Sequence, residues 1–119
     1  MIVNFGLAKL AKAKGFDGVT DYVYTGEGEK RLQFGAINYP PDLFPDYVAA
    51  PTVTELRNWI ISLGYAVLPQ FDTFQEYYKY IIWRKSEGEE PFLYCVSEKE
   101  YETIEEAVQE GMSKILKDL

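Results

Sequence analysis

The sequence predicts an α+β fold, in which a small antiparallel sheet of about four to five strands is combined with about three helices, two of them packed on one face of the sheet. Three observations support this prediction. Capping signals followed by helical apolar periodicity occur at three places, short β-branched and aromatic runs lie between them, and polar glycine-containing segments join some of these runs. The length of 119 residues and the hydrophobic content of 47% fit a single domain spanning residues 1–119.

The first predicted helix begins after Asn4 and runs to about Lys14. Asn4 is a residue type that caps helices, and Gly15 provides the left-handed position that often ends them. Two short apolar runs follow at 21–24 and 30–34, separated by a polar segment with two glycines. This pattern is typical of a β-hairpin, and no phosphate-binding motif continues from the glycines.

Residues 38–51 contain four prolines in 14 positions, which predicts a long loop without regular structure. Long loops in compact domains are often functional, and this one carries large apolar and aromatic side chains. One hypothesis is therefore that it forms a protein-binding surface. The other is that the same side chains fold back and close one end of the core. The candidate binding residues are Tyr39, Leu43, Phe44 and Tyr47.

A capping box of Thr52 and Glu55 predicts the start of a second helix, which Gly64 ends. Residues 65–68 then have the composition of a short strand, which we expect to end at Pro69.

The segment from 73 to 85 is rich in aromatic and β-branched residues and is expected to form the centre of the core. Its beginning is ambiguous, because Thr73 and Glu76 have the spacing of a capping box, so residues 73–77 fit a helix, a strand or a loop. From residue 77 onward the β-favouring composition predicts a hairpin of 77–85 with 92–97.

The last helix has the clearest signal in the chain. Thr103 and Glu106 form another capping box, and apolar residues keep helical spacing from Ile104 to Leu119. Gly111 lies on this apolar stripe, which predicts that a neighbouring backbone or ring approaches closely there.

The chain has no histidine, which excludes Ser-His-Asp and Cys-His nucleophilic machinery and histidine-ligated zinc. Its single cysteine, Cys95, cannot form an internal disulfide, which suits the cytoplasm. We expect no catalytic residue, cofactor or metal. The alternative is a carboxylate enzyme with a divalent metal, centred on Asp17 and Asp21 or on Asp42 and Asp46.

The net charge of −7 is concentrated in residues 86–110, which hold nine glutamates and one lysine. Such an acidic field repels nucleic-acid phosphates and suits a basic partner protein, although it also fits an ordinary solubilising surface. A further alternative is a single-stranded nucleic-acid binder that stacks bases on aromatic side chains of the sheet. Open sheet edges would also allow a homodimer. No apolar run has the length of a membrane helix, so we expect no membrane partner.

Three segments occur in an order and spacing that resemble a known group of proteins: Leu-Ala-Lys-Ala-Lys-Gly-Phe-Asp at 10–17, Ala-Pro-Thr leading to Trp59 at 50–59, and Tyr-Glu-Thr-Ile-Glu-Glu-Ala at 101–107. The group consists of small proteins encoded by phages and prophages of gut Bacteroidetes-type bacteria. Because that family has no established activity, the resemblance implies a phage or mobile-element setting but no catalytic residue. The absence of a catalytic constellation, the acidic segment and the apolar proline-rich loop, taken with that setting, predict a non-enzymatic phage or prophage accessory protein that binds another protein.

Overall fold

A computed structural model describes residues 1–18, 20–25, 31–34 and 47–119, and it confirms the α+β class. The described residues form three helices and six strands, and the strands are divided between two three-stranded antiparallel sheets. The prediction of one small sheet thus captured the class but not this division. The elements are α1 (Phe5–Ala13), β1 (Tyr22–Thr25), β2 (Arg31–Phe34), β3 (Val48–Ala50), α2 (Val53–Ser62), β4 (Tyr65–Asp72), β5 (Tyr77–Arg84), β6 (Phe92–Val96) and α3 (Ile104–Asp118).

The chain divides into two compact units, Met1–Leu56 and Arg57–Leu119, and the division falls within α2. In the first unit, the Asn4 side-chain oxygen accepts a hydrogen bond from the Leu7 N–H at 2.8 Å, which confirms the predicted cap of α1. Gly15 has a φ of +96°, as expected for the residue that ends this helix.

The first sheet has the strand order β2-β1-β3, and α1 packs against β3. The predicted hairpin of the first two strands is confirmed, with Tyr22 opposite Phe34. The prediction of a continuous loop over 38–51 was wrong for its last part, because Val48–Ala50 forms β3 and pairs with β1. These three residues contain no proline, so each keeps the backbone N–H that a ladder needs. Positions 38–46 lie outside the described residues.

The second unit contains a meander with the strand order β4-β5-β6, which confirms the hairpin predicted from 77 onward. The expectation that the preceding strand ends at Pro69 was wrong. Pro69 lies inside β4, opposite Tyr80, and the strand continues to Asp72. Because β4 is an edge strand of this sheet, a residue without an N–H can be placed there without losing a ladder hydrogen bond.

The ambiguous segment before β5 is a turn. The Asp72 side-chain oxygen accepts hydrogen bonds from the N–H groups of Phe74 and Gln75 at 2.9 and 3.2 Å, and Glu76 has a φ of +59°. Asp72 therefore organises the connection of β4 to β5 through its side chain, and the capping-box spacing of Thr73 and Glu76 does not produce a helix.

Helices α2 and α3 begin at their predicted capping boxes. The Thr52 N–H donates to Glu55 Oε1 at 2.8 Å, the Glu55 N–H donates to the Thr52 hydroxyl at 3.0 Å, and the Thr103 hydroxyl accepts from the Glu106 N–H at 3.1 Å. Helix α3 packs against β4 and β5. Its buried residues are Ala107, Val108, Gly111, Met112, Ile115 and Leu116.

Gly111 provides the close approach that its position predicts. A Cβ atom at this position would lie 2.6 Å from Val67 Cγ1 and 3.0 Å from Tyr80 Cγ, so any larger residue would collide with the sheet. Each sheet therefore has its own packed helix among the described residues, α1 on the first and α3 on the second.

Candidate functional site

Helix α3 packs on one face of the second sheet, and the opposite face carries exposed apolar side chains. Alternation along the strands places Val67, Tyr80 and Ile82 on the covered side, where all three are buried. The residues between them must point to the opposite side. The second sheet therefore presents two apolar faces, although α3 fills only one.

We call the exposed side the open face and define it by two cross-strand rows of three residues each. In one row Ile81 lies between Leu68 and Val96, and in the other Trp83 lies between Ala66 and Leu93. Residues directly opposite each other on neighbouring strands have adjacent side chains, so the six form one continuous apolar surface.

Four of the large residues of the open face are exposed to an extent that is unusual for a sheet interior, and the fifth, Ile81, is half-buried. The exposed fractions are 51% for Leu93, 42% for both Leu68 and Val96, and 39% for Trp83. A contiguous exposed apolar surface of this kind marks an interaction site more often than a scattered single residue does. The pair of Gln70 and Lys79 on the next row supplies a polar boundary.

Acidic residues lie at both ends of β6, the strand at one edge of the open face. The turn before β6 contains Glu87, Glu89 and Glu90, and the chain after it contains Glu98 and Glu100, all of them exposed. The acidic segment seen in the sequence thus flanks the apolar rows along this edge. A cationic surface would find both apolar contact and opposite charge there.

An apolar groove of about 370 Å³ adjoins the open face where α2 leads into β4. Its lining includes Ile61, Ala66, Trp83, Arg84, Lys85 and Pro91. The Lys85 N–H donates to the Gly64 carbonyl at 2.8 Å, and a Cβ at Gly64 would meet the Lys85 carbonyl oxygen at 2.8 Å. This close backbone contact fixes the end of the groove.

A second, polar hollow of about 490 Å³ lies between β6 and α3 and contains Tyr80, Cys95, Tyr101 and Glu110. Burial raises the pKa of Tyr80 to about 12, and electrostatic repulsion from Cys95, Tyr101 and Glu110 adds to the increase. The phenol therefore stays protonated well above neutral pH.

At the outer end of α3, the Tyr94 hydroxyl donates to the Asp118 carboxylate at 2.9 Å, and Lys114 Nζ lies 3.3 Å from the same carboxylate. The hydrogen bond from Tyr94, assisted by Lys114, lowers the pKa of Asp118. This exposed cluster ties β6 to the helix and has the character of a structural contact.

The candidate binding residues of the proline-rich loop are only partly described. Tyr39, Leu43 and Phe44 lie outside the described residues. Tyr47 is half-buried immediately before β3, and its carbonyl oxygen accepts a hydrogen bond from Lys12 Nζ at 3.0 Å. The backbone of Tyr47 thus ties the start of β3 to α1.

The carboxylates of the alternative metal-enzyme hypothesis are similarly divided. Asp17 and Asp21 are exposed, and Asp42 and Asp46 lie outside the described residues. Within the described ranges, no group of three or more histidine, cysteine, aspartate or glutamate side chains is arranged to hold a metal ion.

Sequence reasoning did not identify this apolar face as a binding surface, because the segment at 73–85 was interpreted as the centre of the core. The available signal was the doubled apolar pattern of β5, in which Tyr80 and Ile82 alternate with Ile81 and Trp83. Such a strand needs a cover on each side, and the sequence contains only one strongly amphipathic helix after it.

Comparison with known proteins gives no match for this chain among family models, curated proteins or solved structures. In the described part of the chain, no helix has both the length and the apolar character that are required to cross a bilayer.

Proposed function

We propose that this chain is a non-enzymatic protein-binding module and that the open face of the second sheet is its binding surface. The observation that carries the proposal is a pair of cross-strand apolar rows in which Leu68, Trp83, Leu93 and Val96 are exposed and Ala66 and Ile81 are half-buried, on a sheet whose other face packs against α3. The setting we propose, a phage or prophage accessory role, rests only on the sequence resemblance.

The chemistry of the open face favours a protein as its ligand. Leu68, Ile81, Leu93 and Val96 present a broad aliphatic surface, and Trp83 adds the residue type that most often anchors protein interfaces. Trp83 alone among the six residues offers a base a ring to stack on, and the glutamates beside β6 repel phosphates. We therefore propose a partner that is apolar at its centre and basic where it meets the two ends of β6.

A homodimer through the same edge is a less favourable use of this surface. If two copies aligned their β6 strands antiparallel, the turn at 86–90 of one copy would lie beside residues 98–100 of the other. Five glutamates of each chain would then face one another. Like charges placed opposite each other across an interface cost several kcal/mol, which favours a basic heterologous partner over self-association.

The proposal is tested by affinity capture with the chain immobilised and a lysate of a gut Bacteroidetes-type bacterium as the source of partners. The test variant carries Leu93→Ala and Val96→Ala, which remove apolar contacts from both rows without touching the core. We expect at least about tenfold weaker capture, because central apolar contacts of interfaces commonly contribute more than 1 kcal/mol each. Capture should also weaken as salt is added.

The matched control is Phe74→Ala, since Phe74 is 97% exposed in the turn between β4 and β5, away from the six residues of the open face. The competing loop hypothesis has its own arm, with Phe44→Ala and Tyr47→Ala combined. If the open-face variant captures partners as well as the control while keeping its thermal stability, the open face is not the binding surface. Weakened capture by the loop variant alone would assign binding to the loop.

A further inference from the structure

The outer edge of β6 carries backbone groups that are able to pair with another strand. β6 is an edge strand, and just beyond it the Ser97 N–H donates to the Tyr80 carbonyl at 3.0 Å. Because antiparallel pairs alternate, the neighbouring pair of Ile81 and Val96 exchanges no hydrogen bonds, so the N–H and C=O groups of Val96 point away from β5. Leu93 has the same place in the alternation two pairs further along the strand.

These outward groups have almost no partner within the chain. Among the described residues, the backbone of Phe92–Val96 forms no hydrogen bond outside its ladder with β5, except that the Val96 carbonyl accepts from Cys95 Sγ at 3.7 Å. The opposite edge of the sheet differs, because β4 contains Pro69, which has no N–H to offer. The edge better suited to an added strand is therefore β6.

Both sides of β6 have room for the side chains of an added strand. On the open face, its side chains would extend the two apolar rows, which end at Leu93 and Val96. On the other side lies the polar hollow of about 490 Å³ between β6 and α3, which is lined by Tyr80, Tyr101, three lysines and two glutamates, among others. A strand in which apolar and polar residues alternate matches these two sides, because successive side chains point to opposite faces.

The charges at the ends of β6 select the kind of strand that fits. Five glutamates flank β6, three in the turn before it and two in the chain that follows. A second copy of β6 placed antiparallel at this edge would bring like charges together, and that arrangement is unfavourable. A strand with basic residues at both ends would meet opposite charge at each end.

From these observations we infer that an extended segment of the partner adds to β6 as a fourth strand, with apolar side chains on the open face, polar side chains beside the hollow and lysine or arginine at both ends. Backbone hydrogen bonds would hold the segment, and its alternate side chains would determine specificity. This inference rests on the proposed function, because it specifies how a protein partner engages the open face.

The test measures fluorescence anisotropy of a labelled peptide, Lys-Arg-Val-Thr-Val-Thr-Arg-Lys, titrated with the full chain. One modified peptide carries N-methyl groups on both valines, and a second carries them on both threonines. Alternate N–H groups of a strand point to opposite sides, so we expect one modified peptide to bind at least about tenfold more weakly while the other stays within about threefold of the parent. Glutamate in place of the four basic residues should weaken binding at least about tenfold.

Two substitutions at Val96 separate the backbone contribution from the side-chain contribution. Val96→Ala and Val96→Pro both remove apolar area from the open face, but only proline also removes the outward N–H. Val96→Pro should therefore bind the parent peptide about fivefold more weakly than Val96→Ala. Circular dichroism checks that both variants fold, and the methylated peptides decide the question if the proline variant does not.

Equal affinities of the two methylated peptides would overturn the inference, as would the absence of binding by the parent peptide in the millimolar range. Self-association of the chain that Val96→Pro abolishes would instead assign the edge to a second copy. Partner capture by the variant with Leu93→Ala and Val96→Ala keeps the two proposals distinguishable. Weakened capture with equally bound methylated peptides would support the open face and refute strand addition, whereas unchanged capture with unequally bound peptides would refute the open face and leave the edge assignment standing.

Discussion

The contact between Gly111 and the second sheet gives a sharp test of the packing. Alanine in place of a helical glycine ordinarily stabilises a helix by about 1 kcal/mol. At Gly111, however, the added methyl group would lie 2.6 Å from Val67 Cγ1 and about 3.0 Å from the Tyr80 ring, and both neighbours are buried. Overpacking of a well-filled core costs about 1–3 kcal/mol. Because a contact of 2.6 Å lies at the severe end of that range, we expect Gly111→Ala to lower the free energy of unfolding by about 2 kcal/mol after the propensity gain of about 1 kcal/mol is subtracted.

The matched control is Gly6→Ala in α1, where the new Cβ would meet only the Asn4 side-chain oxygen, at an unstrained 3.5 Å. The same chemical change should here be neutral or stabilise the protein by up to about 1 kcal/mol. Urea unfolding followed by far-UV circular dichroism measures both variants. If Gly111→Ala is as stable as the wild type, α3 does not lie close enough to β4 and β5 for a methyl group at position 111 to collide with Val67 and Tyr80.

Three further predictions concern local features. Glu76→Gly should raise the unfolding free energy by about 0.5–1 kcal/mol, because Glu76 has a φ of +59° that glycine adopts without strain; thermal unfolding checks this. Thr103→Ala should lower the unfolding free energy by about 1 kcal/mol, because the Thr103 hydroxyl no longer accepts the hydrogen bond from the Glu106 N–H. Thr73→Ala is the control, since it removes no helix cap. If the Thr103 variant is as stable as the wild type, Thr103 does not act as the cap of α3. Finally, folding raises the pKa of Tyr80 from 10.0 to about 12, so its contribution to stability is complete below pH 10 and is lost as pH rises toward 12. Tyr80→Phe should flatten this alkaline loss in an unfolding series, and an unchanged slope would show that another group is responsible.

Helix boundaries were predictable because they depend on hydrogen bonds between residues three positions apart. Asn4, Thr52 and Thr103 each accept a bond from the backbone N–H three residues ahead, which is an interaction the local sequence determines. Predictions from local sequence rules were wrong where the position of a residue in the tertiary structure decides the outcome. Pro69 ends a central strand but not an edge strand, and its position at an edge depends on pairing with β5 alone.

The division of the strands into two sheets could not be predicted from the sequence, for a related reason. Strand β3 pairs with β1 across more than twenty residues, and neither strand carries a residue that specifies this partner. The sheet face that α3 covers is equally undetermined by strand composition, since Ile81 and Trp83 are as apolar as Tyr80 and Ile82. Which strands pair, and which face of a sheet a helix covers, depends on the packing of the whole unit. A short stretch of sequence does not contain that information.

Strand β5 therefore combines stability and the proposed binding surface in one stretch of chain. Its covered residues Tyr80 and Ile82 pack under α3, and the small Gly111 lets the helix come close enough to bury them. Its other residues, Ile81 and Trp83, lie at the centre of the two apolar rows. Because one face is buried, the backbone of the strand is already ordered, so its ordering adds little to the cost of binding a partner. Substitutions on the two faces should accordingly separate stability from binding, even though the residues alternate along the same strand.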